Sequence, residues 1–146
     1  MIDDSDLASI DHIGIALHQA ATEWRHSFRS EMAARGYPWH LNASGEVLAH
    51  LGPSGVSQTA LTERMGLSKQ AVQQLLDQLE ADGVVRRETD PADKRAKRVV
   101  LTDLGLRDFA ERNRVKREIE ERYRDKLGKK LFAKLEKALR RLAEPN

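Results

Sequence analysis

Between residues 57 and 83 the chain twice repeats one local grammar: a serine, a run of helix formers, then a glycine. Ser57 precedes Gln58–Met65 and Gly66, and Ser68 precedes a run to about Asp82 and Gly83. A serine hydroxyl accepts from the free amides of a first helical turn, and glycine closes the last turn without a steric penalty. With a single glycine between them, the two helices must cross at a tight angle. Leu67 stands just before the second cap, opposite Val72, where an apolar pair can staple the entry. The second helix has two faces. Val72, Leu75, Leu76 and Leu79 point inward, and Lys69, Gln70, Gln73, Gln74 and Asp77 point outward.

The texture then changes to β-branched and alternating residues, Val84–Thr89 and Ala96–Leu101. They flank a polar tip, Asp90 to Arg95, so a β-hairpin is expected. Helix, tight turn, two-faced helix and basic hairpin together are the plan of a winged helix-turn-helix. On either side the spacing predicts further helices. Leu7 to Arg35 reads as one long helix, stopped by Gly36 and Pro38, and Ser44 to His50 as a short one. Thr102 is the expected N-cap of a helix from Asp103 to about Lys126, and Leu131, Leu135, Ala138 and Leu142 mark a last amphipathic helix.

The expected class is therefore mostly α with a small β-hairpin wing, in the order α-α-α-α-β-β-α-α. Residues 1–41 form an N-terminal dimerisation helix and connector, 42–102 the winged helix-turn-helix, and 103–146 the C-terminal helices, intertwined as one domain. The end helices carry more apolar surface than so small a centre can cover, which predicts a homodimer. No apolar run approaches the ~20 residues of a membrane span, and the acidic start Met1-Ile2-Asp3-Asp4 favours a cytoplasmic protein without membrane contact.

The outward residues suit double-stranded DNA. Gln70, Gln73 and Gln74 can pair with base edges in a major groove, and Ser57, Ser68 and Lys69 can hold phosphates. Charge gathers in the hairpin. From Val84 to Arg98 six basic residues (Arg86, Arg87, Lys94, Arg95, Lys97, Arg98) face three acidic ones, a local excess greater than the net +2 of the whole chain. Arg95 at the tip is suited to a narrow minor groove. Asp93, two residues earlier, is positioned to hold the Arg95 side chain by a charge-assisted hydrogen bond. Arg86, Lys94 and Lys97 are candidate phosphate contacts, although strand alternation turns only some of them to one side. Taken alone, the glutamine face is an ordinary solvated surface; the neighbouring helix and wing give it its meaning.

The run Gln58-Thr59-Ala60-Leu61-Thr62-Glu63-Arg64-Met65-Gly66-Leu67-Ser68 continues through Leu75-Leu76-Asp77-Gln78-Leu79-Glu80-Ala81-Asp82-Gly83-Val84-Val85-Arg86-Arg87. Asp90-Pro91-Ala92-Asp93-Lys94-Arg95-Ala96 and Leu101-Thr102-Asp103-Leu104-Gly105 follow. This stretch, Ser57 to Gly105, resembles the multiple-antibiotic-resistance regulator (MarR) family. The resemblance implies a homodimeric transcriptional regulator reading a pseudo-palindromic operator, in the first instance a repressor, with an activator as the alternative. It implies the 68–82 helix in the major groove and the 89–96 wing, with Arg95, in the minor groove. It also implies release by a small aromatic or anionic effector. Gln74 stands where many relatives carry arginine, so base preference is not carried over with the fold.

Other chemistries find less support. The chain has no cysteine, which removes disulfides, thiolate metal sites and thiol redox sensing. It has no phosphate-binding glycine loop and no Ser-His-Asp pattern, so no catalytic residue, enzyme activity or cofactor is expected. His12, His18 and His26 are 6 and 8 residues apart, not the 3 or 4 that put two ligands on one helical face, so no metal site is expected. Trp24, Trp39 and His40 are the candidate lining of an effector pocket, with Trp24 equally suited to a core. The alternative to a DNA regulator is a winged module that binds protein only.

Overall fold

The computed structural model describes residues 1–146. The principal elements are α1 (Ile13–Ala34), α2 (Gly45–Leu48), β1 (Val56–Ser57), α3 (Gln58–Met65), α4 (Lys69–Ala81), β2 (Val85–Asp90), β3 (Asp93–Leu101), α5 (Asp103–Leu127) and α6 (Lys129–Ala143). The three strands form one antiparallel sheet in the order β1-β3-β2. The mostly helical, winged class expected from the sequence is the one observed.

The helix-turn-helix follows its caps. Ser57 Oγ accepts from Ala60 N and Ser68 Oγ from Ala71 N, each at 3.1 Å. Gly66 ends α3 at φ 64°, a left-handed conformation that costs any residue with a β-carbon about 1 kcal/mol or more. Val72, Leu76 and Leu79 of α4 are fully buried with Leu61, Val84, Val85, Val99 and Leu101, and Leu75 packs at the edge of this cluster. Leu67 stays exposed, so the apolar staple expected there does not shield it.

Four expectations are corrected. The first helix does not begin at Leu7: Asp4–Leu7 is a single 3-10 turn boxed by Asp3, and α1 starts at Ile13. His12 is extended and its Nδ1 accepts from Gly14 N, so two local caps replace one continuous ladder. A 3-10 turn, Pro38–Leu41, precedes α2, which spans fewer residues than Ser44–His50. The strand β1 was not visible, because two residues are too short to display alternation; Val56 pairs with Val99 and Ser57 with Arg98. The hairpin is also longer than expected, its strands running to Asp90 and from Asp93. Asp90 Oδ1 accepts from Ala92 N (2.9 Å) and Asp93 Oδ1 from Arg95 N (3.0 Å), folding the supposed six-residue tip into a turn at Pro91-Ala92.

Thr102 caps α5 and ties it to the wing root. Its hydroxyl accepts from Gly105 N at 3.1 Å and lies 2.5 Å from the Gly83 carbonyl oxygen, to which it donates. Gly105 packs so closely on the residue preceding β2 that a β-carbon there would overlap the Val84 carbonyl oxygen. A second small core, Met32, Val115 and Ile119, joins α1 to α5. Beyond it the apolar residues are uncovered: Ile13 on α1 and Leu131 and Leu142 on α6 are more than half exposed. No helix is long and apolar enough to cross a membrane.

Candidate nucleic-acid interface

One groove runs between the helix pair and the wing. Its walls are Gln58, Thr59, Thr62 and Glu63 of α3, Lys69, Gln73 and Glu80 of α4, and Arg87, Arg95, Ala96 and Lys97 of the hairpin. Four of the residues singled out in the sequence, Lys69, Gln73, Arg95 and Lys97, therefore converge on one surface. They do so for simple reasons. Positions 69 and 73 are four apart on a helix, and 95 and 97 are two apart on a strand, so each pair shares a face. Gln58, Thr59 and Thr62 were missed; their only signal was their place in the first turns after the Ser57 cap.

The other candidates sit around this groove. Ser68, Gln70 and Gln74 are exposed on α4 but outside the groove walls. Ser57 and Ser68 use their oxygens as helix caps, which leaves their hydroxyl protons free to donate. Lys94 is exposed at the wing tip. Asp93 does not hold the Arg95 guanidinium, as the sequence suggested; its carboxylate binds the Arg95 backbone amide, shaping the tip and leaving the side chain exposed. Arg86 lies on the far side of the wing. Residues paired across β2 and β3 share a face, and Arg86 pairs with Val100 whereas Arg87 pairs with Val99 and Thr89 with Lys97. Arg86 Nε lies 3.7 Å from Glu88 Oε2 on that far face, and Arg98 there donates to the Ser54 carbonyl.

Arg87 differs from its neighbours. Nε donates to Glu80 Oε2 at 3.2 Å and Nη2 to Asp77 Oδ1. The hydrogen bonds to Glu80 first, and Asp77 second, raise its pKa further above the ordinary guanidinium value.

A separate small cavity of about 120 Å³ lies between α1, α2 and α5, lined by Trp24, Arg25, Phe28, Arg29, His40, Arg112 and Lys116 among others. Trp24 and Phe28 stack at 5.4 Å, 7° from parallel, and His40 meets Phe28 edge-on. Trp39 does not line this cavity. It is buried in the core, where its indole Nε1 donates to Asp108 Oδ1 at 3.0 Å. Asp108, fully buried, also has His40 Nε2 at 2.7 Å and Arg112 Nε at 2.8 Å. Arg112 Nη1 donates to the Leu48 carbonyl, its Nη2 is buried with no partner, and its Nε meets Asp108 Oδ2 as an ion pair without hydrogen-bond alignment. Burial lowers the Arg112 pKa against the opposing pull of Asp108, and burial, then Arg112, lowers that of Lys116. No group of three His, Asp or Glu side chains converges anywhere as a metal site would require.

Residues 43–96 match the MarR family model. The reduced form of MarR from E. coli is similar in fold over 94% of this chain and 100% of its own, with a TM-score of 0.76 at 19% identity. A MarR variant from E. coli in complex with operator DNA matches over 90% and 94% respectively, with a TM-score of 0.72 at 20% identity. A transcriptional regulator (MarR family) from Rhodococcus sp. RHA1 matches over 92% and 95%, with a TM-score of 0.66 at 24% identity. The chain thus resembles the MarR family in sequence across its central segment and in fold along nearly its whole length.

Proposed function

We propose that this chain, MarR-like in sequence over 43–96 and in fold throughout, is a DNA-binding regulator of transcription that acts as a homodimeric repressor. The observation that carries this reading is the convergence of Lys69 and Gln73 with Arg95 and Lys97 on one groove. The exposed N-terminal turns of α4 enter the major groove, with Ser68, Gln70 and Gln74 beside them, and the Arg95 wing enters the adjacent minor groove. Residues 42–102 bind DNA, and the uncovered apolar faces of residues 1–41 and 103–146 pair two copies so that their α4 helices meet half-sites about one helical turn apart. That a MarR variant of similar fold forms a complex with operator DNA supports the DNA-binding reading.

The chain works by binding rather than catalysis, in the cytoplasm. Its cavity beside Trp24, His40 and Arg112 suits a small planar anion whose binding releases the operator: aromatic faces flank it, and Arg112 and Lys116 supply positive charge. The test is footprinting on genomic fragments with a salt titration. A symmetric footprint on a near-palindrome is expected, with an affinity that falls steeply as salt rises. Arg95→Ala is expected to cost about 1–3 kcal/mol of binding without unfolding the protein. Salt-insensitive binding, or none, would leave the protein-only module as the better account.

A further inference from the structure

We propose that Arg87 is a positioning residue of the DNA interface, an ionic brace that sets the wing's angle to α4 and makes no phosphate contact of its own. The inference rests on the DNA-binding reading above. Among the wing arginines Arg87 has an unusual setting: its side chain is 17% exposed, against 60% for Arg86. Its Nε and Nη2 are both spent on carboxylates, Glu80 and Asp77. Two negative charges against one positive make this cluster net acidic, with Glu80 and Arg87 in the groove wall and Asp77 beside it. A cluster of that sign repels a phosphate backbone, so its value cannot lie in attraction to DNA.

Its placement explains what it does instead. Asp77 and Glu80 continue the α4 face that begins with Lys69 and Gln73, at spacings of four, four and three residues. Arg87 shares the strand-pair face that continues through Thr89 and Lys97 toward Arg95. The three-residue cluster therefore joins the two surfaces that must fit adjacent grooves of one duplex, at the end of each away from the contact. A two-carboxylate grip on one guanidinium fixes direction as well as distance, because the planar fork accepts partners only along its N–H vectors.

The test sets the brace against plain electrostatics, using operator affinity measured over a range of salt. Asp77→Asn with Glu80→Gln removes two negative charges beside the groove, so charge alone predicts tighter binding. The brace predicts weaker binding, by roughly five- to fiftyfold, with the parent's salt slope, since no phosphate contact is lost. Both carboxylates are exposed, so this variant retains the fold, which thermal unfolding verifies. The exchange of Glu80→Arg with Arg87→Glu restores most of the affinity, whereas Arg87→Glu alone does not. Tighter binding by the Asn/Gln variant overturns the proposal, as does an Arg87→Ala salt slope reduced by about one phosphate contact. A parent protein without salt-dependent DNA binding overturns the DNA-binding reading itself; a parent that binds, with variants that follow charge alone, overturns only the brace.

Discussion

Replacing Asp108 by leucine removes the carboxylate that Trp39 and His40 hydrogen-bond and that pairs with the Arg112 guanidinium. Trp39 Nε1 and His40 Nε2 both lie within hydrogen-bond distance of Oδ1, and Arg112 Nε is 2.8 Å from Oδ2, around a carboxylate that is itself fully buried. The largest penalty is the one left behind: a guanidinium 4% exposed and without its counter-charge. Removing one partner of a buried ion pair costs about 3–5 kcal/mol, a fifth or more of a typical domain's stability of about 5–15 kcal/mol. Arg112→Leu alone is expected to cost a similar amount, because it leaves the buried Asp108 without its counter-charge and deprives the Leu48 carbonyl of one of its two donors. The double variant, Asp108→Leu with Arg112→Leu, removes both charges and fills the space with apolar volume. It is expected to be at least about 2 kcal/mol more stable than the sum of the two singles allows. Urea unfolding at one fixed protein concentration, followed by tryptophan fluorescence, reads all three. If the double variant is destabilised by the full sum, Asp108 and Arg112 are not energetically coupled and the account of this core is wrong.

Gly105→Ala is expected to cost more than about 3 kcal/mol or to prevent folding, since the new methyl group meets the Val84 carbonyl backbone; thermal unfolding decides it. Gly66→Ala, with open space around it and only φ 64° to oppose it, is expected to cost about 1 kcal/mol in the same assay. Stability is also expected to fall in acid through Glu118, whose pKa is lowered from 4.5 chiefly by its hydrogen bond to Arg35. A carboxylate lowered on folding stabilises above its unfolded value and loses that contribution as pH drops through the folded one. Glu118→Gln is thus expected to shallow the acid limb of the stability–pH curve, a result that an unchanged limb would contradict.

Much of this protein was legible because local rules and tertiary packing agree. Ser57, Gly66, Ser68 and Thr102 act as caps or stops where the sequence placed them, and Val72, Leu76 and Leu79 face the core as their period requires. What stayed hidden depended on partners distant in sequence. The pairing of Val56 with Val99 needs a strand more than forty residues away, and the bond from Trp39 to Asp108 spans 69 residues. The roles of Arg86 and Arg87 show the limit at a candidate site. Composition counted them alike, and only the strand register sends one to the far face and the other to Asp77 and Glu80.

The length of α5 has a mechanical consequence. Twenty-five residues make a rod of about 37 Å, clasped at one end to the wing root by Thr102 and tied within its first half, through Asp108 and Arg112, to the segments around Trp39 and Leu48. Such a rod pivots more readily than it bends. A rotation of only about 5° about one end carries the other through about 3 Å, given that length. That travel is comparable to the tolerance of a groove contact. A disturbance too small to alter any helix could therefore reach the wing as displacement, with the rod serving as the moment arm.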